Sequence, residues 1–288
     1  MRKERSPHES HDIRVQVDRV QVVSWAPQGR KPPELPNFKV TKDSFVRSQT
    51  NTSTYERCRH YQSTRNDAKV YWQYYPCKSW LKAWKVTLVA DDNAGLSYDE
   101  IEAVLNHCRF YHFLIIEVAI DFGPSTGVNR EFVRRHALLG KSRRRKQQSA
   151  DVLYFGTRKS DKFVRCYKKK ELGIYRVELE FHSQLLRRES ISTLDDFKGL
   201  PDLIYPKHLQ FVEIDWNRLH GCIRRKFGGR SKAVIATAQH KATSISRLRR
   251  YFRRKRIANF HRFLAPHCIN EKADRAFTRW MRHFEVVV

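Results

Sequence analysis

The sequence predicts an α+β fold: a central, mostly antiparallel β-sheet with flanking helices, followed by a basic, mainly helical C-terminal region. Three observations predict it. Period-two stretches rich in β-branched and aromatic residues run through the front of the chain. After Leu200 the apolar residues recur at helical spacing. The charge changes at nearly the same point: residues 217–288 carry 19 Lys and Arg against three acids, and the first 216 carry 38 against 27. The expected division is 1–200, a sheet-based domain with a flexible tail at 1–12, and 201–288, a basic helical region.

The elements follow in order. Asp12–Trp25 alternates apolar and polar residues and reads as a strand or hairpin arm. Gln28–Asn37 holds three of the ten prolines and reads as a loop. Lys69–Tyr75 and Trp84–Val89 are aromatic and β-branched, as strands are. Ser97 and Glu100 form a capping box in front of Ile101, Val104, Leu105 and Cys108, which predicts a helix over Tyr98–His107. Leu114–Phe122 is the most apolar stretch and a strand; Asn129–Leu139 reads as a helix and Lys141–Lys146 as a basic loop. Asp151–Gly156 and Phe163–Lys169 read as a hairpin turning through Thr157–Lys162, and Tyr175–Phe181 as a further strand. Ile245, Leu248, Phe252, Ile257, Phe260 and Leu264 suggest one long helix with a basic outer face, and Ala273, Phe277, Trp280, Met281 and Phe284 a last one. No internal repeat or low-complexity tract interrupts this order.

Composition narrows the function. With 40% apolar and 12% aromatic residues, a chain of 288 can bury a core. A net charge of +27 and a pI near 10.2 point to a polyanionic partner, and nucleic acid is the commonest. No apolar run approaches the roughly 18–20 residues of a spanning helix, so no membrane association is expected. The segment MRKERSPHESHD lacks the apolar core of a secretory signal. Cys58, Cys77, Cys108, Cys166, Cys222 and Cys268 are never closer than 19 residues, which excludes C-x-x-C motifs and fits free thiols in a cytoplasmic protein. Gly140-Lys141-Ser142 resembles the end of a P-loop, but Arg135 stands where the first glycine is needed, so NTP hydrolysis is not expected. There is no H-E-x-x-H and no His-hydrophobic-His pair.

The chemistry gathers on three strands. Side chains two apart share a face. Glu117 and Asp121 therefore point one way, while Ile116, Val118, Ile120 and Phe122 point into a core. Arg176, Glu178 and Glu180 repeat the pattern. Two carboxylates on an apolar strand are costly unless paired, solvated or bound to a cation. If the polar faces share one side of one sheet, three or four carboxylates converge, and oxygen-only donors favour Mg²⁺ or Mn²⁺. The alternative is a solvated face with Arg176 pairing a neighbour. On the third strand, Arg165, Tyr167 and Lys169 share a face; flanking cations favour a phenolate and bind phosphate. Tyr154 and Tyr175 are rival tyrosines. A tyrosine among cations, beside carboxylates, in a strongly basic chain suggests phosphodiester chemistry.

The run Tyr154-Phe155-Gly156-Thr157-Arg158-Lys159-Ser160-Asp161-Lys162-Phe163-Val164-Arg165-Cys166-Tyr167-Lys168-Lys169-Lys170-Glu171 resembles the signature of the replication initiation factor (Rep-trans) family, whose pattern is roughly Y-x-G-x-R-x-S-D-x-x-x-R-x-Y-x-K. Its members are rolling-circle initiators of small Gram-positive plasmids, with relatives in filamentous phages and integrative elements. Arg176-Val177-Glu178-Leu179-Glu180 resembles a second family strand, and Glu117-Val118-Ala119-Ile120-Asp121-Phe122 a third, with Glu117 in place of the usual first Asp. Lys69-Val70-Tyr71, Lys85–Val89 and Leu96–Glu100 follow the family's order of elements. The resemblance covers about Lys69 to Arg187.

The resemblance implies a metal-dependent, site- and strand-specific DNA nickase in residues 1–200. Tyr167 would be the nucleophile, forming a 5′-phosphotyrosine and freeing a 3′-OH. Arg165 and Lys169 would steady the phosphate and the phenolate. Asp121, Glu178, Glu117 and Glu180 would hold Mg²⁺ or Mn²⁺. DNA contacts are expected from Arg158, Lys159 and Ser160 in the hairpin turn, from Arg143, Arg144 and Arg145 in the basic loop, and from Arg249, Arg250, Arg253 and Arg254 in the helical region. The expected partners are a replication origin with an unpaired or hairpin nick site, a host helicase and a second copy of the chain. The competing readings are a relaxase or mobilisation protein of an integrative element, a non-catalytic DNA-binding regulator and an RNA-binding protein.

Overall fold

The computed structural model describes residues 13–26, 30–46, 54–78, 81–91, 94–139, 151–204 and 207–282. The fold is α+β. Nine strands form one sheet: β1 (Ile13–Trp25), β2 (Phe38–Phe45), β3 (Tyr55–Ser63), β4 (Lys69–Pro76), β5 (Ala83–Val89), β6 (Arg109–Phe122), β8 (Leu153–Phe155), β9 (Lys162–Lys169) and β10 (Ile174–His182), with β7 (Ala137–Leu138) lying outside it. Their order is β2-β3-β4-β5-β1-β6-β10-β9-β8, and every neighbouring pair is antiparallel. Alternation divides the sheet into two faces. Val20, Val22, Val86, Leu88, Val70, Trp72, Val118, Ile120, Val177 and Leu179 are essentially inaccessible and form the core on one side. The polar residues of the same strands face the other way.

Helices close the apolar face. α1 (Tyr98–Leu105) starts at Ser97 with the expected capping box: Ser97 Oγ accepts from Glu100 N, and Glu100 Oε2 accepts from Ser97 N at 3.0 Å. Ile101, Val104 and Leu105 enter the core. α2 (Arg130–His136) is shorter than its pattern, because Ala137 and Leu138 turn extended to form β7. α3 (Ser183–Arg188) and α4 (Leu200–Ile204) add Leu185, Leu186, Leu200, Leu203 and Ile204 to the same core.

The C-terminal part holds α5 (Trp216–Phe227), α6 (Ser231–Lys241) and α7 (Ile245–Arg254), but also two strands the helical pattern concealed. β11 (Gln210–Ile214) pairs with β7 on one side and β12 (Leu264–Pro266) on the other. The long helix expected over Ile245–Leu264 ends at Arg254. Arg256 takes a left-handed φ of 54°, its N–H donates to Arg253 O, and Ile257 N–H donates to Phe252 O. This is a Schellman stop with arginine in the position glycine usually takes. Ile257 stays in phase with the apolar pattern because it packs with Phe252 in one cluster, so periodicity alone could not see the stop. Residues 212–263 build this second cluster, whereas α8 (Ile269–Arg282) returns to the first one through Ile269, Ala273, Ala276, Phe277 and Trp280. No helix among the described residues is long and apolar enough to cross a membrane.

Candidate active site

Three strands and one bulge assemble the site. Pairing of β6, β10 and β9 sets Asp121 beside Arg176 and Arg176 beside Tyr167. One row further, Ala119 faces Glu178 and Glu178 faces Arg165; in the next, Glu117 faces Glu180. β1 borders β6 on the other side, and its register shifts between Val17 and Arg19. Asp18 is the extra residue there. A bulge re-aims the side chain it carries, and Asp18 reaches the polar face: Arg176 Nη1 donates to Asp18 Oδ2 at 2.9 Å.

The charges interlock. Arg176 forks onto Asp121, with Nε to Oδ1 at 2.6 Å and Nη2 to Oδ2 at 2.7 Å. Arg165 Nη2 donates to Glu117 Oε1 at 2.7 Å, and its Nε lies 2.6 Å from Glu178 Oε2 without an aligned hydrogen bond. Arg19 joins Glu117, at 2.6 Å, to Glu180, whose other oxygen lies 2.6 Å from His182 Nε2. The Tyr167 hydroxyl donates to Glu178 Oε1 at 2.5 Å. Lys169 ends the strand, buried two residues beyond the phenol. Of the rival tyrosines, Tyr175 faces the core, and Tyr154 stacks on Phe163 with ring centres 5.8 Å apart.

Burial dominates the protonation of this site. It pushes the Glu178 carboxyl up to about 7; Glu117 and Asp18 push the same way, while Arg165 and the Tyr167 hydroxyl oppose. Asp18 is also raised, by burial first, with Arg176 opposing. Glu180 is lowered, because His182 and Arg19 together outweigh the burial that raises it. The expectation for Tyr167 reverses. Flanking cations should favour the phenolate, yet the phenol is raised well above its ordinary value, by burial first and then by its bond to the Glu178 carboxylate; Arg176 and Arg165 only oppose this in part. The reason is geometric: both guanidinium groups spend their forks on carboxylates.

The expected ligands divide accordingly. Asp121 gives both oxygens to Arg176, and Glu180 is held by Arg19 and His182. Glu117 and Glu178 converge with Asp18, each offering an oxygen within 4.8 Å of the others. Sequence reasoning missed Asp18, although a signal exists. The apolar phase Val15, Val17 becomes Val20, Val22 across Asp18-Arg19, and such a slip marks a bulge. As a donor set, three carboxylates from two strands and a bulge suit a hard divalent cation. Asp18 and Glu178 are both pushed up by burial and by Glu117, and the Glu178 Oε2 atom lacks an aligned donor, so a cation would relieve them.

The residues expected at DNA lie apart from this centre. Arg158 and Lys159 are exposed at the tip of the β8–β9 turn, whereas Ser160 is engaged within it, its Oγ accepting from Thr157 N at 2.8 Å. Gly156 opens that turn at φ +82°, and a Cβ there would stand 2.6 Å from Lys162 O, so the position needs glycine. Arg249, Arg250, Arg253 and Arg254 are exposed on α7. Arg143, Arg144 and Arg145, the P-loop-like Gly140-Lys141-Ser142 and the 1–12 tail lie outside the described residues.

No family model and no curated protein matches the chain. Among solved structures the chain is similar to a rolling circle replication initiator protein from Geobacillus stearothermophilus. The identity is 18% and the TM-score 0.40, over 70% of this chain and 87% of that one.

Proposed function

We propose that the chain is a metal-dependent DNA nickase and strand transferase of the rolling-circle initiator type, with Tyr167 as its nucleophile. The observation that carries this reading is the 2.5 Å hydrogen bond from the Tyr167 hydroxyl to Glu178, a carboxylate poised near pH 7 inside a carboxylate triad. A phenol raised above its ordinary value is a poor nucleophile until a base takes its proton. Glu178, whose Oε1 already accepts the hydroxyl's hydrogen bond, is that base.

The steps balance as a transesterification. Glu178 Oε1 accepts the phenolic proton, the Tyr167 oxygen bonds to the scissile phosphorus, and the bond from phosphorus to the 3′-oxygen breaks. The 3′-oxygen leaves as a hydroxyl by taking a proton from solvent water, Glu178 returns the phenolic proton to solvent, and the 5′-phosphate stays on the tyrosine. One phosphodiester replaces another, so no nucleotide hydrolysis is needed. Arg165, between Glu117 and Glu178, supplies positive charge where the phosphorane gathers negative charge. Asp18, Glu117 and Glu178 would hold Mg²⁺ or Mn²⁺, which when bound polarises the phosphate. Asp121 is a positioning residue: its fork fixes Arg176, and Arg176 fixes Asp18. Arg158, Lys159 and the α7 arginines hold the DNA through its phosphates. A replication origin with an exposed nick site is the substrate this reading requires; a helicase and a second copy of the chain are its further expected partners.

The test is cleavage of supercoiled DNA from the chain's own replicon with Mg²⁺ or Mn²⁺. The reading expects an open circle nicked at one strand position, with protein bound to the 5′ end. A protein that binds this DNA but leaves it supercoiled under both metals would be a regulator instead.

A further inference from the structure

The polar face does not stop at β1. The registers carry it outward over β5, β4, β3 and β2. Arg19 shares a row with Lys69 across Val89; Tyr71 shares the next with His60 and Lys42; Lys85 stands in the third. These six side chains are half-buried or exposed, while the alternate residues Val20, Val22, Val86, Leu88, Val70 and Trp72 are shut into the core. No helix among the described residues joins this face to either hydrophobic cluster, both of which lie elsewhere.

The chemistry of this half differs from that of the catalytic half. Its three central rows carry no Asp or Glu. Among the described residues, acids stand only at its borders: Glu117 and Glu180 hold Arg19 from the β6 side, Asp43 next to Lys42 turns to the other face but still acts on His60, Glu56 stands one row further along β3, and Asp67 in the β3–β4 turn accepts from Gln62 Nε2 at 2.7 Å. Lys85 is lowered by burial first and then by Arg19, whose own carboxylate partners, Glu117 and Glu180, stand on the strands beyond it. Tyr71 and His60 meet edge to face with centres 5.1 Å apart, leaving ring surface open. Cations that track a backbone, with aromatic rings among them, are what single-stranded nucleic acid binds. An open sheet face suits an extended strand better than a duplex, whose grooves take a helix or a two-stranded ribbon.

We propose that the outer half of the sheet is a binding platform for single-stranded DNA, with phosphates on Lys69, Lys85 and Lys42 and bases against Tyr71 and His60. Strands lie about 4.8 Å apart and rise about 3.3 Å per residue, so five strand steps and six residues along the rows put Tyr71 on the order of 30 Å from Tyr167. Arg19 belongs to both halves, because it also binds Glu117 and Glu180. The platform therefore runs into the carboxylate centre and would present an unpaired strand to it. The direction of delivery rests on the nickase reading; the binding does not.

The test uses the full chain and a fluorescein-labelled oligothymidine of about 20 nucleotides, longer than the roughly 4–16 nucleotides that sheet-based binders cover. The Lys69→Glu/Lys85→Glu double variant is expected to bind at least about tenfold more weakly. Its slope of log affinity against log salt should be shallower by about 1.4, at roughly 0.7 for each phosphate of a single strand that is no longer neutralised. Tyr71→Ala should weaken binding about fivefold or more. Circular dichroism checks that each variant is folded. The wild type offers a measurement that needs no variant: photocrosslinking to 5-iododeoxyuridine DNA should label the tryptic peptide 70–78. Unchanged affinity in a folded double variant, crosslinks confined to α5–α7, or tighter binding of oligouridine RNA would each overturn the proposal. A chain that binds here but does not nick would sink the nickase reading alone; a chain that nicks while the variants bind normally would sink only the platform.

Discussion

Glu178→Gln isolates the group that the mechanism depends on. Burial and its carboxylate neighbours raise Glu178 from the usual value near 4.5 to about 7. The folded protein therefore holds this proton over a range where the unfolded chain has lost it. Stability from this group is complete below about pH 4.5, falls as pH rises towards 7, and stays lower above. At 1.36 kcal/mol for each pH unit, the ionised form costs about 3 kcal/mol. Glutamine keeps an oxygen for the Tyr167 hydroxyl and never ionises. His208 complicates the wild-type curve, because burial and Lys162 lower it to about 4. Its contribution rises with pH between about 4 and 6.5 and masks the fall due to Glu178. The difference between the variant and the wild type removes the imidazole. That difference should start near zero at pH 4.5, grow through pH 7, and level off near 3 kcal/mol, a gain in Tm of several degrees at roughly 2–4 °C per kcal/mol. Thermal melts at half-unit pH steps without divalent metal would measure it. Parallel curves for the two proteins would refute a carboxyl perturbed by burial.

Three further outcomes follow from the same geometry. Mn²⁺ at about a hundred times its dissociation constant should stabilise the wild type by about 2.7 kcal/mol. The shift should be larger at pH 8 than at pH 5, where the raised Asp18 and Glu178 hold protons, and calorimetry of Asp18→Asn should show it nearly abolished. Arg176→Met leaves Asp121 buried without its fork and Asp18 half-buried without its ion pair, and should cost about 3–5 kcal/mol in urea unfolding, more than a surface arginine would. Gly156→Ala forces a Cβ against Lys162 O at a left-handed φ and should cost about 1–3 kcal/mol, read as a lowered melting temperature.

Much of the candidate site was legible because its strands bury one clean apolar face. In Leu114–Phe122 and Tyr175–Phe181 the charged residues fall on one parity, so the shared face of Glu117 and Asp121 and that of Arg176, Glu178 and Glu180 could be read strand by strand, while their convergence waited on the pairing of β6 with β10 and of β10 with β9. β2 and β3 could not. Phe38–Phe45 has no continuous apolar face and is mostly exposed at the sheet edge. Tyr55–Ser63 points Arg57 and Arg59 towards the core side, where Asp43 neutralises them at 3.3 and 2.8 Å. That pairing exists only once β2 and β3 meet. The role of Asp18 was hidden by the bulge, and the fate of the phenol by the arginine forks: parity gives the face of a side chain but not which partner it will choose. In the C-terminal part, the two short strands β11 and β12 carry too few residues to show a period.

The central claim is that the Tyr167 oxygen becomes bonded to DNA. After reaction with a nick-site oligonucleotide in Mn²⁺, trypsin should release the peptide Cys166-Tyr167-Lys168 carrying a 5′-phosphorylated nucleotide, and mass spectrometry would locate it. The account predicts that mass on Tyr167 and its disappearance in Tyr167→Phe. A nucleotide found instead on Tyr154 or Tyr71, or cleavage undiminished in Tyr167→Phe, would contradict it.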